Sequence, residues 1–435
     1  MQAGLSTKNA PSPKVVLPHF VFGAVSFLVA AVVMTLYAGD LLLPFHLNPK
    51  MLVLTHVTVL GFLSTLIIGA LYQLIPVVME VKLFSEKIAN ITFYLFTSGV
   101  TILVISFWEA SFDANQNWLW FEVSGTMILT AVTLFAVNTL KSAAKSKVKT
   151  RGNVFVKTAI IYLLLTVSLA ITMVINFAVP FLPVSVIDLL KMHMHLGLVG
   201  WFLFLVIGVS SKLMPMFLII HKLPEKLLDY SYHLLNAGLI LLVLILSFYP
   251  EQWLMIISGA LMFAGVILYL KYIHYAYKHR FRKNLDTGMK LSAVAYFILL
   301  LVLFAGLVSL LFPGFWGILS IHIDIVYGMS FVLGFLMALV LGQTYKTLPF
   351  IIWLEKYQSK VGKQKVPLPQ ELYSEPVAKI HMKTFMAAFL FLIAGELSDL
   401  KPLIQAAGVL FLITALLYNY NVFKIVFHKE KSLEK

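Results

Sequence analysis

The chain has 435 residues, of which 60% are hydrophobic and only 12% charged, and it carries a net charge of +14. Soluble domains carry roughly 25% charged residues, so a chain this apolar cannot cover itself with polar surface and needs lipid as its solvent. It has no cysteine, which excludes disulfides, thiolate metal sites, iron–sulfur clusters and covalent CxxCH haem attachment.

Met1–Val15 is polar, and the apolar run that follows ends in no small-residue cleavage site, so it is read as a retained helix. Apolar segments of spanning length fall at 16–38, 51–78, 88–108, 118–139, 155–178, 185–219, 229–248, 252–273, 290–312, 317–350, 378–398 and 402–427. Each offers about 20 residues at a 1.5 Å rise, enough for a hydrocarbon core of ~30 Å. The longest connection, 351–377, is too short for a further domain, so residues 1–435 read as a single polytopic membrane domain. With the N-terminus cytoplasmic, 30 of the 33 Lys and Arg residues fall on the inner side, and only Lys50, Lys191 and Lys401 on the outer. That asymmetry obeys the positive-inside rule. It predicts a multi-pass protein of the inner (cytoplasmic) membrane and accounts for the high charge without a nucleic-acid partner.

Three helices repeat one pattern. Helix two reads HVTVLGFLSTLIIGALYQLIPVV from His56, helix six HLGLVGWFLFLVIGVSSKLMPMF from His195, and helix ten MSFVLGFLMALVLGQTYKTLPFI from Met329. In each, a Gly-aromatic pair begins five residues after the first position, a second glycine follows at thirteen (Gly69, Gly208, Gly342) and proline at twenty (Pro76, Pro215, Pro349). Recurrence at every fourth helix predicts three four-helix units about a pseudo-threefold axis. The fold class is thus all-α, with about twelve transmembrane helices in pseudo-threefold internal repeats.

Twelve histidines are present. His19, His46, His221, His233, His274, His279, His381 and His428 read as solvated or interfacial, near helix ends or in loops. The other four, His56, His193, His195 and His322, lie towards the outer ends of helices two, six and ten, where an intramembrane ionisable group marks a functional site. His56 and His195 both precede their proline by twenty residues and so sit at similar depth. Two imidazoles at one depth on neighbouring helices can ligate a planar haem from both faces; the alternative is an interhelical hydrogen bond. His193 and His195 point about 200° apart on one helix, so helix six can serve cofactors on two sides. His322 precedes Pro349 by 27 residues, about two turns further out, and reads as a haem or metal ligand or as an outer-surface histidine.

Residues 193–217, HMHLGLVGWFLFLVIGVSSKLMPMF, resemble the tenth helix of haem-copper oxidase subunit I, and the His56 stretch with GALYQLIP resembles its second. The chain is also similar to NnrS-type haem membrane proteins. The resemblance implies one or two non-covalent haems, b-type or other. It implies His56 and His195 as low-spin axial ligands, His193 for a second haem, and additional membrane or electron-donor subunits as partners. It also implies respiratory electron transfer, or reduction or handling of dioxygen or nitric oxide, by an oxidoreductase of the oxidase or nitric oxide reductase type. Here the HxH lies on helix six rather than ten, which a cyclic shift by one repeat would accommodate. No His-His pair and no HxxxY pattern at these four histidines occurs, so no three-histidine copper centre is expected. Lys50, Lys191 and Lys401 are the basic residues available to haem propionates on the outer side.

Two other classes compete with turnover on a haem. A secondary transporter would frame its substrate between the repeats, but Glu109, Asp113, Glu122, Glu396 and Asp399 all read as lying near the outer surface. A haem-binding sensor or assembly factor would keep the cofactor without turnover.

Overall fold

A computed structural model describes residues 9–39, 48–111, 118–220, 222–312 and 320–430. His46, Asp113, His221 and the start of the 317–350 segment lie outside the described residues. Among the described residues twelve helices are long and apolar enough to cross a membrane, and there is no strand. They are α1 (Pro13–Leu36), α2 (Pro49–Val78), α3 (Glu86–Ala110), α4 (Trp118–Ala144), α5 (Arg151–Ala178), α6 (Val186–Leu218), α7 (Lys226–Phe248), α8 (Gln252–Lys278), α9 (Thr287–Leu311), α10 (His322–Lys360), α11 (Glu375–Ser398) and α12 (Lys401–Val426).

Helix starts follow from side-chain caps. Asn48 Oδ1 accepts from Lys50 N at 3.0 Å ahead of Pro49, and Ser185 Oγ accepts from Asp188 N at 3.1 Å. Ser85 and Asp286 cap α3 and α9 in the same way. Each supplies an acceptor to backbone N–H groups that have no partner inside the helix. The tenth helix runs further than its apolar stretch. It continues through EKY to Tyr357, and Trp353 Nε1 pins the following connection by donating to Pro367 O at 2.6 Å.

Neighbouring helices pack in sequence, and α1 lies along α12, closing the bundle. Asn419 Nδ2 of α12 donates to Ala24 O of α1 at 2.8 Å across that seam. The repeat-bearing helices α2, α6 and α10 are the most enclosed, with 61%, 67% and 61% of their apolar windows buried, against 22% for α8 and 28% for α9. Their second repeat glycines are contact points. A Cβ at Gly208 would stand 2.9 Å from Gly152 O of α5, and one at Gly342 would stand 2.6 Å from Gly288 O of α9. At Gly69 the neighbour is the His19 side chain of α1.

In all three helices the α-helical winding gives way to π-helical turns directly after the first repeat position: Val57–Ser64 after His56, Leu196–Leu203 after His195 and Ser330–Leu336 after Met329. Such wide turns cluster at functional sites because they re-aim the side chains on either side. Phe62, Trp201 and Phe335, the aromatics of the Gly-aromatic pairs, are each at most 1% exposed.

Candidate functional site

His56 is half-buried near the start of α2. Its Nδ1 lies 2.8 Å from the carbonyl of Leu52, one turn back, and its ring packs on Phe107 of α3 with centroids 4.9 Å apart. His195 repeats the arrangement on α6, with Nδ1 2.8 Å from Lys191 O. A carbonyl oxygen only accepts, so Nδ1 carries the proton in each ring and Nε2 keeps its lone pair. An imidazole tied back in this way is a preoriented ligand, since the hydrogen bond settles both tautomer and ring direction.

His193 is tied elsewhere: its Nδ1 lies 3.2 Å from Thr166 O on α5. The two histidines of the HxH therefore face different neighbours, as their spacing of two requires.

His322 is joined to α11 instead. Its Nδ1 lies 3.1 Å from Oε1 of Glu396, whose side chain is 0% exposed while that of His322 is 20% exposed. The second carboxylate oxygen of Glu396 is buried without a hydrogen-bond partner. Hydropathy places Glu396 near the outer surface because it lies two residues from the end of its helix. The fold buries it because α10 packs against that end of α11. Among the described residues no three His, Asp or Glu side chains cluster closely enough to hold a metal ion.

The three basic residues at the histidine end divide. Lys50 Nζ stands 4.5 Å from the centroid of Tyr37. Lys401 crosses Gly39, where a Cβ would meet its Cε and Nζ at 2.7 Å. Both thus reach the same end of α1. Lys191 pairs with Asp188 at 3.4 Å.

Two histidines that read as interfacial are buried: His19 is 2% exposed and His381 0%, and neither ring nitrogen of either has a hydrogen-bond partner. The available signal was their depth, since each lies six residues inside its helix, or about 9 Å along the axis. At the opposite, basic end, Lys346 of α10 pairs with Asp286, which Arg282 also approaches at 3.3 Å.

No protein-family model matches the chain. A protein of Aquifex aeolicus (strain VF5) described as uncharacterized is 25% identical over 374 residues, covering 84% of this chain and 88% of the relative. A haem-copper terminal oxidase, solved by cryo-EM as a dimer, superposes with a TM-score of 0.62 over 96% of this chain and 84% of that one, at 10% sequence identity. The chain is therefore an all-α membrane protein with the fold of a haem-copper terminal oxidase.

Proposed function

We propose that this protein is a haem-binding membrane protein of the inner membrane, working in respiratory electron transfer or in the handling of dioxygen or nitric oxide. Its N-terminus and basic end face the cytoplasm in this reading. The carrying observation is the shared geometry of His56 and His195, each with Nδ1 tied one turn back at 2.8 Å and Nε2 left as the lone-pair nitrogen. These two and His193 fit a haem by the chemistry of their donors, and the absence of cysteine requires that it be held without covalent attachment. A bound haem would supply one-electron redox chemistry and an iron able to take a diatomic ligand.

The chain's own part is positional. The α2 and α6 backbones orient the imidazoles, Phe107 packs against His56, and Lys50 and Lys401 offer cationic partners to propionates. His322, held by Glu396 as metal-bound imidazoles commonly are by carboxylates, is a separate candidate ligand for haem or metal. Copper is not assigned, because the sequence lacks the His-His pair of a three-histidine centre. The oxidase-like fold supports this function as analogy, while the histidines carry it. A reduced-minus-oxidised visible spectrum of the purified protein tests it. Haem bands are expected, and well-folded protein without haem would overturn the proposal.

A further inference from the structure

The connection from α2 to α3, residues 79–85, is clamped onto the basic end of α4. Asn138 and Ser142 stand one turn apart on α4, and Ser146 follows at the same spacing just beyond it. Asn138 Oδ1 accepts from Ser85 N at 2.9 Å while its Nδ2 donates to Ser85 O at 2.8 Å. Ser142 Oγ accepts from Phe84 N at 2.8 Å, and Ser146 Oγ donates to Met79 O at 2.7 Å. The clamp sets the exposed Phe84 ring beside the end of α4.

Lys141 and Lys145, also four residues apart, bring their ammonium groups over that one ring, at 4.8 and 5.6 Å from its centroid. An aromatic face attracts each cation but carries no net charge, so two positive charges converge at one exposed spot. Among the described residues neither lysine pairs with a carboxylate. Glu86 accepts from Ser12 N at 3.2 Å instead. The two connections that meet here, 79–85 and 145–150, hold Lys82, Lys145, Lys147 and Lys149 against Glu80 alone. The positive-inside rule accounts for lysines at this end of the bundle; it does not bring two of them to one clamped ring. Beside the spot the helices turn apolar side chains outward: Val137 of α4, one turn from Lys141, and Ile91 and Tyr94 of α3 are exposed. A ligand seated on the lysines thus borders lipid-facing surface, which an acyl chain can use and a free phosphate cannot.

We propose that Phe84, Lys141 and Lys145 bind the headgroup of an anionic phospholipid, with its phosphate between the two ammonium groups and its acyl chains along α3 and α4. Lysines next to a membrane span attract anionic lipid in general, and the clamp gives these two a fixed geometry. The inference does not rest on haem binding.

The test is native mass spectrometry of the full-length protein in uncharged detergent, with phosphatidylglycerol and phosphatidylcholine as probes. Wild-type protein is expected to hold one phosphatidylglycerol in preference to phosphatidylcholine. Lys141→Ala combined with Lys145→Ala should weaken that binding about thirtyfold. Lys363→Ala combined with Lys365→Ala removes the same charge from the exposed connection between α10 and α11 and should leave it unchanged. Phe84→Ala keeps every charge and should also weaken it. Equal preference for the two lipids, an equal effect in the two double variants, or full displacement of phosphatidylglycerol by inorganic phosphate would overturn the proposal.

Discussion

Two pairs of histidines in this bundle share a residue type and a membrane setting and are treated in opposite ways. His56 and His195 are half-buried, with one nitrogen tied to the carbonyl a turn back at 2.8 Å and the other left open. His19 and His381 are sealed in the protein with no hydrogen bond to either nitrogen. The sealed pair has a regularity of its own. His19 meets Tyr72 edge-on, with centroids 5.8 Å apart, and His381 meets Tyr345 at 5.7 Å. These two tyrosines hold the same register position, sixteen residues after His56 and Met329. A buried polar group without a partner costs about 1–3 kcal/mol, so the sealed histidines burden the fold, while the tied ones are satisfied on one side and available on the other. The lesson is that burial alone does not mark a ligand; the direction of the second nitrogen does.

The largest expected effect separates the two pairs directly. His56→Ala or His195→Ala should convert a low-spin haem spectrum to high-spin or lose the haem, whereas His19→Ala and His381→Ala should leave it unchanged. Unchanged spectra in both of the first two variants would sink the assignment. His193→Ala sharpens it. A low-spin signal that persists pairs His56 with His195 on one iron, as their register suggests. A signal that disappears makes His193 one of its ligands.

A middle-sized effect concerns the histidine held by a side chain rather than by backbone. His322→Ala leaves Glu396 fully buried with neither oxygen paired, and thermal unfolding in detergent should register a loss of about 1–3 kcal/mol. Adding Glu396→Leu removes the stranded carboxyl group and should recover most of that loss. A double variant no more stable than the single would mean that the two residues are not a coupled unit.

The smallest effect has the opposite sign. His381→Phe keeps an aromatic ring between Tyr345 and Tyr418 but removes both partnerless nitrogens. Unfolding measurements should show a gain of about 1–2 kcal/mol. A loss would show that those nitrogens are satisfied in the working protein, and the contrast with His56 would then weaken.

The linear sequence by itself determined the twelve spans, because the bilayer demands about 20 apolar residues per helix and each such stretch is local and contiguous. The segment read at 51–78 became Pro49–Val78, and that at 185–219 became Val186–Leu218. The opposite facing of His193 and His195 was equally legible, since helical geometry decides it within one turn. Only the tertiary structure decided the rest. Glu396 meets His322 across 74 residues of chain, and no local pattern announces a partner at that distance. The depth of His19 and His381 was countable, but their lack of partners was not, because that depends on what α2, α10 and α12 present to them. The π-helical turns after His56, His195 and Met329 belong to three helices at once. Hydropathy measures how each residue partitions between water and lipid; it carries no information about which side chains of different helices face one another, and that facing is what makes a site.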